Sequence, residues 1–230
     1  MSQKNSIGSD FEYILNVNKP VGKSSFSIVH YVRKLSGVKK VGHAGTLDPN
    51  ASGVLLVVMG KATKQVEALM TMEKEYIGKI KLGLVTDTLD ICGSIIEKKP
   101  IGNITAEEIR KHLLDFEGEI LQTPPIYSAL KYKGKPLYKY ARKGEKIEPE
   151  PRKVNIYEIS LISFNKDEAV IKVICSRGTY IRCIARDLGE KLGCGGTISE
   201  LSRTRIGDYH IDDSVDWEDL PKKINSLVNE

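Results

Sequence analysis

Apolar residues recur along this chain with two different periods. Tyr13 to Val17 alternates like a short strand, and residues 25–37 place Ile28, Val29, Val32 and Leu35 on one helical face, with Ser25 to cap and Gly37 to stop. GVLLVVMG (53–60) is apolar throughout and reads as a buried strand. Residues 74–84 return to period two, with Tyr76, Ile80 and Leu82 on one face and Lys79 and Lys81 on the other. Thr105 with Glu108 forms a capping box for a helix to about Phe116, and Pro124-Pro125 breaks the pattern after it. Two strands joined around Asn165-Lys166-Asp167 fill 154–175, and a helix runs from near Tyr180 to about Leu192. Strands in hairpin-like pairs with helices between them, and no internal repeat, predict an α+β fold rather than a doubly wound one.

Charge changes this picture in one place. The chain of 230 residues carries a net charge of +5, but ALKYKGKPLYKYARKGEKIEPEPRK (129–153) alone holds nine Lys or Arg against three Glu, or +6. By subtraction the remaining 205 residues sum to about −1. Tyr132, Tyr138 and Tyr140 sit among these lysines, and cations beside aromatic faces suit a polyanion whose bases can stack. A solvated lysine-rich excursion is the alternative from this segment alone. Residues 208–219 carry six acidic side chains and no Lys or Arg, so this end should face away from a phosphate backbone.

Other classes fit poorly. The longest apolar run, Val54 to Met59, is far short of the roughly twenty residues that span a bilayer, and the start MSQKNSIGSDFEY lacks an apolar signal core. The expected location is the cytoplasm. Cys92, Cys175, Cys183 and Cys194 form no CxxC pair, so free thiols are expected and no metal site. Gly60-Lys61 is followed by Ala62 rather than Ser or Thr, which removes a phosphate-binding loop. Gly42-His43-Ala44-Gly45 fits a KH-type clamp, but Pro49 and an apolar strand follow instead of a helix. Asp48, Asp87 and Asp90 offer carboxylates to Mg²⁺, although TDTLDICG (86–93) is more simply a loop with Asx hydrogen bonds. GHAGTLDPNASG (42–53) packs three glycines around Asp48-Pro49, either as a plain turn or as a loop that holds a carboxylate still.

NKPVGKSS (18–25), GHAGTLDPNASGVLLV (42–57), KEYIGKIKLG (74–83), TDTLDICG (86–93), TPPIYSALKYKGKPLYKYARKG (123–144) and CSRGTYIRCIARDLGEKLGCGG (175–196) follow one another in order. Together they closely resemble the TruB-type tRNA pseudouridine-55 synthases, over about residues 13–210.

The resemblance implies the pseudouridine synthase fold, a mixed, mainly antiparallel central sheet flanked by helices, as a single catalytic domain over 1–230. It implies a basic RNA-contacting insertion at about 123–153, and the acidic stretch to residue 230 leaves no room for the C-terminal PUA domain of many members. It also implies isomerisation of the T-loop uridine of tRNA, with tRNA as partner, no cofactor, no membrane, no obligatory protein partner and a monomeric state. Asp48 matches the catalytic aspartate, acting as nucleophile or by removing a ribose proton. Arg182 matches the arginine that positions it, and Tyr76 the tyrosine that stacks on the flipped base and can assist the C5 proton. His43 matches the residue filling the space the base vacates, Tyr180 and Leu201 the remaining pocket residues, and Lys19 a support of the catalytic loop or a phosphate contact. Lys131, Lys133, Lys135, Lys139, Arg142 and Lys143 are expected on the RNA backbone. The alternative function is a tRNA-binding folding chaperone with catalysis secondary.

Overall fold

A computed structural model describes residues 11–145 and 147–229. The polar start (1–10), Lys146 of the basic stretch and Glu230 lie outside the described residues. In chain order the elements are β1 (Glu12–Lys19), α1 (Ser25–Ser36), β2 (Val41–His43), β3 (Ala51–Gly60), α2 (Val66–Thr71), β4 (Lys74–Leu82), β5 (Leu84–Thr86) and β6 (Ile95–Lys98). Then come α3 (Ala106–Leu114), β7 (Gly118–Gln122), β8 (Lys131–Tyr132), β9 (Lys135–Pro136), α4 (Leu137–Ala141), β10 (Arg152–Asn165) and β11 (Glu168–Cys175). The chain ends with α5 (Ile181–Lys191), β12 (Gly196–Ile206), β13 (Tyr209–His210), β14 (Val215–Asp216) and α6 (Leu220–Asn229). The fold is α+β, and the chain groups into two compact units, residues 1–75 with 202–230 and residues 76–201.

The first unit is built on β3. β1 pairs with it antiparallel from Glu12↔Gly60 to Lys19↔Gly53, β2 pairs with it from Val41↔Met59, and β14 joins the far side of β1 in parallel. The apolar run of β3 has no polar alternation because both its faces are covered. Leu55, Val57 and Met59 pack with Ile28, Val29 and Val32 of α1 and with Leu220 and Ile224 of α6. Val54, Leu56 and Val58 pack on the other side with Ala44, Leu69 and Ile206. α1 starts one residue earlier than the sequence suggests: Ser24 is the cap, its hydroxyl accepting from Ser27 N–H at 3.0 Å, and Ser25 is released for another task. Gly37 ends the helix at φ 71° with its N–H on Arg33 O, as anticipated.

In the second unit β4, β11, β10 and β7 lie side by side in that order, and Ile109 and Leu113 of α3 with Ile184, Ala185 and Leu188 of α5 close the core over Ile80, Leu82, Ile156, Ile159, Ile171 and Val173. β10 and β11 are antiparallel and join at Lys166, whose φ is 56°. Thr105 caps α3 by accepting from Glu108 N–H, and the helix ends at Leu114, two residues short of Phe116, which is buried beyond it. The basic stretch, which carries no regular apolar pattern, forms the β8–β9 hairpin and α4.

Candidate active site

The Asp48 loop lies within the first unit, and both neighbours of Asp48 are tied down. Asp48 opens a turn in which its carbonyl accepts from Ala51 N–H at 3.1 Å, with Pro49 pre-set in the second position. Before it, Leu47 is held twice by Ser25, whose hydroxyl donates to Leu47 O at 3.1 Å and accepts from Leu47 N–H at 2.9 Å. After it, Pro49 O accepts from Gly22 N–H at 2.8 Å and from the Lys19 ammonium at 3.3 Å.

Lys19 is fully buried, and its ammonium also donates to Pro20 O at 2.9 Å and Lys23 O at 2.7 Å. The three carbonyls take all three hydrogens of the ammonium, and the bond to Pro49 O ties it to the residue after Asp48. Burial pushes its pKa down to about 8, opposed by the Asp48 carboxylate and reinforced by Arg203.

Nothing in the local sequence marks Arg203 as a site residue. Its guanidinium is buried, donating from Nε to Val54 O at 2.8 Å and from Nη2 to Gly45 O at 3.1 Å, so it spans the two flanks of the loop. The strand carrying it runs so close that a Cβ on Gly53 (φ 101°) would sit 2.2 Å from Arg203 O. His43 lies in the same neighbourhood, and burial followed by the nearby Arg203 charge lowers its pKa below the usual histidine value. It is therefore a neutral ring at pH 7.

The second unit gathers the other site residues around the start of α5. Gln122 is buried and holds the backbone of Tyr180 in both directions, accepting from Tyr180 N–H at 2.7 Å and donating to Tyr180 O at 3.2 Å. Two residues on, Arg182 is 4% exposed and donates to Thr88 O at 2.7 Å and to Tyr127 O at 2.9 Å. Asp90 lies 3.7 Å from Arg182 Nη1, and its Oδ1 accepts from Thr88 Oγ1 and Cys92 N–H. Asp87 accepts from Ser94 N–H. The TDTLDICG loop is thus the Asx-bonded loop the sequence favours, with Asp90 paired to an arginine rather than set out for a cation. Tyr76 shares its β4 face with Gly78, Ile80 and Leu82; a methyl on Gly78 would touch Leu201 Cδ1 at 3.6 Å, so Leu201 packs beside the strand that presents Tyr76. All four cysteines are free thiols, and burial pushes Cys183 up to about 11, too high for a nucleophile at neutral pH.

On the hairpin, α4 and the turn after it, Lys131, Lys133, Lys135, Lys139, Arg142 and Lys143 are all exposed. The tyrosines there are already partnered: Lys133 lies over Tyr132 at 5.4 Å, Arg142 over Tyr138 at 5.4 Å, and Tyr140 meets Tyr132 edge-on at 5.8 Å.

Residues 33–181 match the model of the TruB family pseudouridylate synthase N-terminal domain, and residues 182–229 that of the tRNA pseudouridylate synthase B C-terminal domain. The chain belongs to the TruB family of pseudouridylate synthases. A tRNA pseudouridine synthase B from Clostridium tetani is 47% identical over 207 residues, covering 90% of this chain and 72% of that protein. The tRNA pseudouridine synthase B of Endomicrobium trichonymphae is 44% identical over 211 residues and covers 92% of both chains. Among solved structures, a chain of a Cbf5-Nop10-Gar1 complex is similar with a TM-score of 0.73 and 31% identity, over 93% of this chain and 54% of that one. The two family models together span Asp48, Tyr76, Tyr180, Arg182, Leu201 and Arg203, while Lys19 and Ser25 lie before residue 33. No helix among the described residues is long and apolar enough to cross a membrane.

Proposed function

We propose that the chain isomerises uridine to pseudouridine at position 55 in the T-loop of tRNA. The observation that carries this reading is Asp48, which a TruB-family chain presents on a turn fixed through both neighbouring residues. The reaction breaks the bond from uracil N1 to ribose C1′, turns the base and joins C5 to C1′. The proton on C5 leaves and N1 gains one, so atoms balance with no electron or phosphoryl transfer. Asp48 serves the sugar and the C6 edge of the base, as nucleophile or as base at the ribose.

Arg182 is the cation proposed to orient the Asp48 carboxylate, itself oriented by Thr88 O, Tyr127 O and Asp90. Tyr76 is proposed to stack on the extruded uracil, with Tyr180 and Leu201 completing the pocket, and His43, neutral and half-buried, to fill the vacated space. The exposed cations of the hairpin are proposed to follow the phosphate backbone. We read the protein as a cytoplasmic monomer acting on tRNA without an obligatory protein partner.

Tritium release from a tRNA transcript labelled at uracil C5 tests the reaction, because forming the new bond expels that hydrogen. Release by the wild type, absent in Asp48→Asn, supports it. Bound tRNA with no release from either chain overturns it in favour of the binding chaperone, whose own support is the basic hairpin.

A further inference from the structure

The loop that carries Asp48 is held by the buried side chains of Ser25 and Arg203. We propose that Ser25 and Arg203 are positioning residues, gripping the Asp48 loop at its near and far shoulders so that their loss slows the reacting step without weakening RNA binding. This rests on the reading of Asp48 as the reacting carboxylate. Ser25 is 2% exposed, and its hydroxyl is both donor to and acceptor from Leu47. It therefore fixes the whole peptide frame of the residue that precedes Asp48, where a single bond would leave a free rotation. Its release from helix capping, which Ser24 performs, leaves that grip as its one polar task among the described contacts.

Arg203 is 1% exposed and takes Gly45 O and Val54 O, nine residues apart in sequence, with one rigid planar group. A buried guanidinium is costly unless its hydrogens are given to acceptors, and here the acceptors are carbonyls on either side of the Asp48 turn. Shortening either grip lets the turn shift, and a shift of about 1 Å at a reacting group can cost about 100-fold in rate. Neither residue is exposed to an RNA, so affinity should not follow.

The test compares wild type, Ser25→Ala and Arg203→Lys by three measurements at a temperature where circular dichroism shows each folded. These are single-turnover tritium release with enzyme in excess, tRNA affinity by filter binding, and amide hydrogen exchange at Leu47 against Ala44. The Leu47 amide is held by Ser25 and the Ala44 amide by Leu56 O, so only the first should be released by Ser25→Ala. Both variants are expected to lose about 10- to 100-fold in the single-turnover rate, with affinity within about twofold of wild type. Arg203→Lys keeps the charge and loses the two-point grip, so it answers the question if Ser25→Ala does not fold, and Ser25→Ala does so in the reverse case. Wild-type rates in the folded variants overturn the proposal, as does a rate loss matched by an equal loss of affinity or by exchange that rises at Leu47 and Ala44 alike. Absence of release from the wild type would instead sink the reading of the reaction itself.

Discussion

Lys19 places a titratable cation near Asp48, its ammonium enclosed by three backbone carbonyls, and its behaviour with pH separates catalysis from stability. Its pKa is about 8 in the folded chain against an ordinary 10.5. Between these values the unfolded chain holds a proton that the folded chain has given up, so this group makes stability rise with pH through that window. Catalysis should move the other way: above about pH 8 the amine has two hydrogens for three carbonyls and no charge facing Asp48. A plot of log kcat from pH 6.5 to 9.5 is therefore expected to fall with an apparent pKa near 8, while the melting temperature shows no matching fall. A flat rate profile would mean that the Lys19 charge plays no part in the reacting step. At the same scale, Arg182→Ala leaves Asp90 buried without its arginine and deprives Asp48 of its proposed partner. A loss of at least about 100-fold in kcat with tRNA affinity retained is expected from turnover and binding assays run together, and near-normal rates would show the cation to be dispensable.

At the scale of elements, what could be read from the chain was what is encoded locally. The α1 face, the unbroken apolar run of β3 and the Thr105 cap each depend on residues within a few positions, and each stands where the pattern puts it. The grips on the Asp48 loop do not: Arg203 reaches Val54 across 149 residues, and either arginine of LSRTR looks like a surface cation until the strand is placed. Ser24 and Ser25 are equivalent by composition as caps, and only backbone geometry assigns the cap to the first. Glycines show the same division. Gly37 and Gly53 both have φ in the left-handed region, at 71° and 101°, but Gly37 has open space beyond it while Gly53 abuts the Arg203 backbone. Gly37→Ala should cost about 1 kcal/mol, the conformational term alone. Gly53→Ala should cost more than about 2 kcal/mol, since strain and collision add and no flexible side chain can yield. Urea unfolding of both variants measures the difference, and equal losses would mean that the close approach of Arg203 is not a constraint.

For the whole molecule the decisive property is where the charge lies, and that much needs no structure: a net +5 in which one 25-residue stretch contributes +6. What the sequence left open was whether this stretch is a solvated excursion or a shaped surface. The β8–β9 hairpin and α4 give it a framework, with Leu137 buried beneath and the cations outward. Two tyrosines already carry a cation over one ring face each, which leaves less ring area for a base to stack on, so electrostatics should dominate over stacking in this region. Counterion release then sets a quantitative expectation. Changing Lys131, Lys133 and Lys135 together to Gln removes three potential phosphate contacts, each worth about 0.7 to 0.9 in the slope of log affinity against log salt. The triple variant should bind unmodified tRNA more weakly at low salt, with a slope shallower by about 2 and with kcat at saturating tRNA unchanged. The same loss should appear for any folded tRNA, because phosphates carry no sequence information. An unchanged slope would place the backbone contacts elsewhere on the chain. A fall in kcat with an unchanged slope would mean that the hairpin acts on the reacting geometry rather than on RNA affinity.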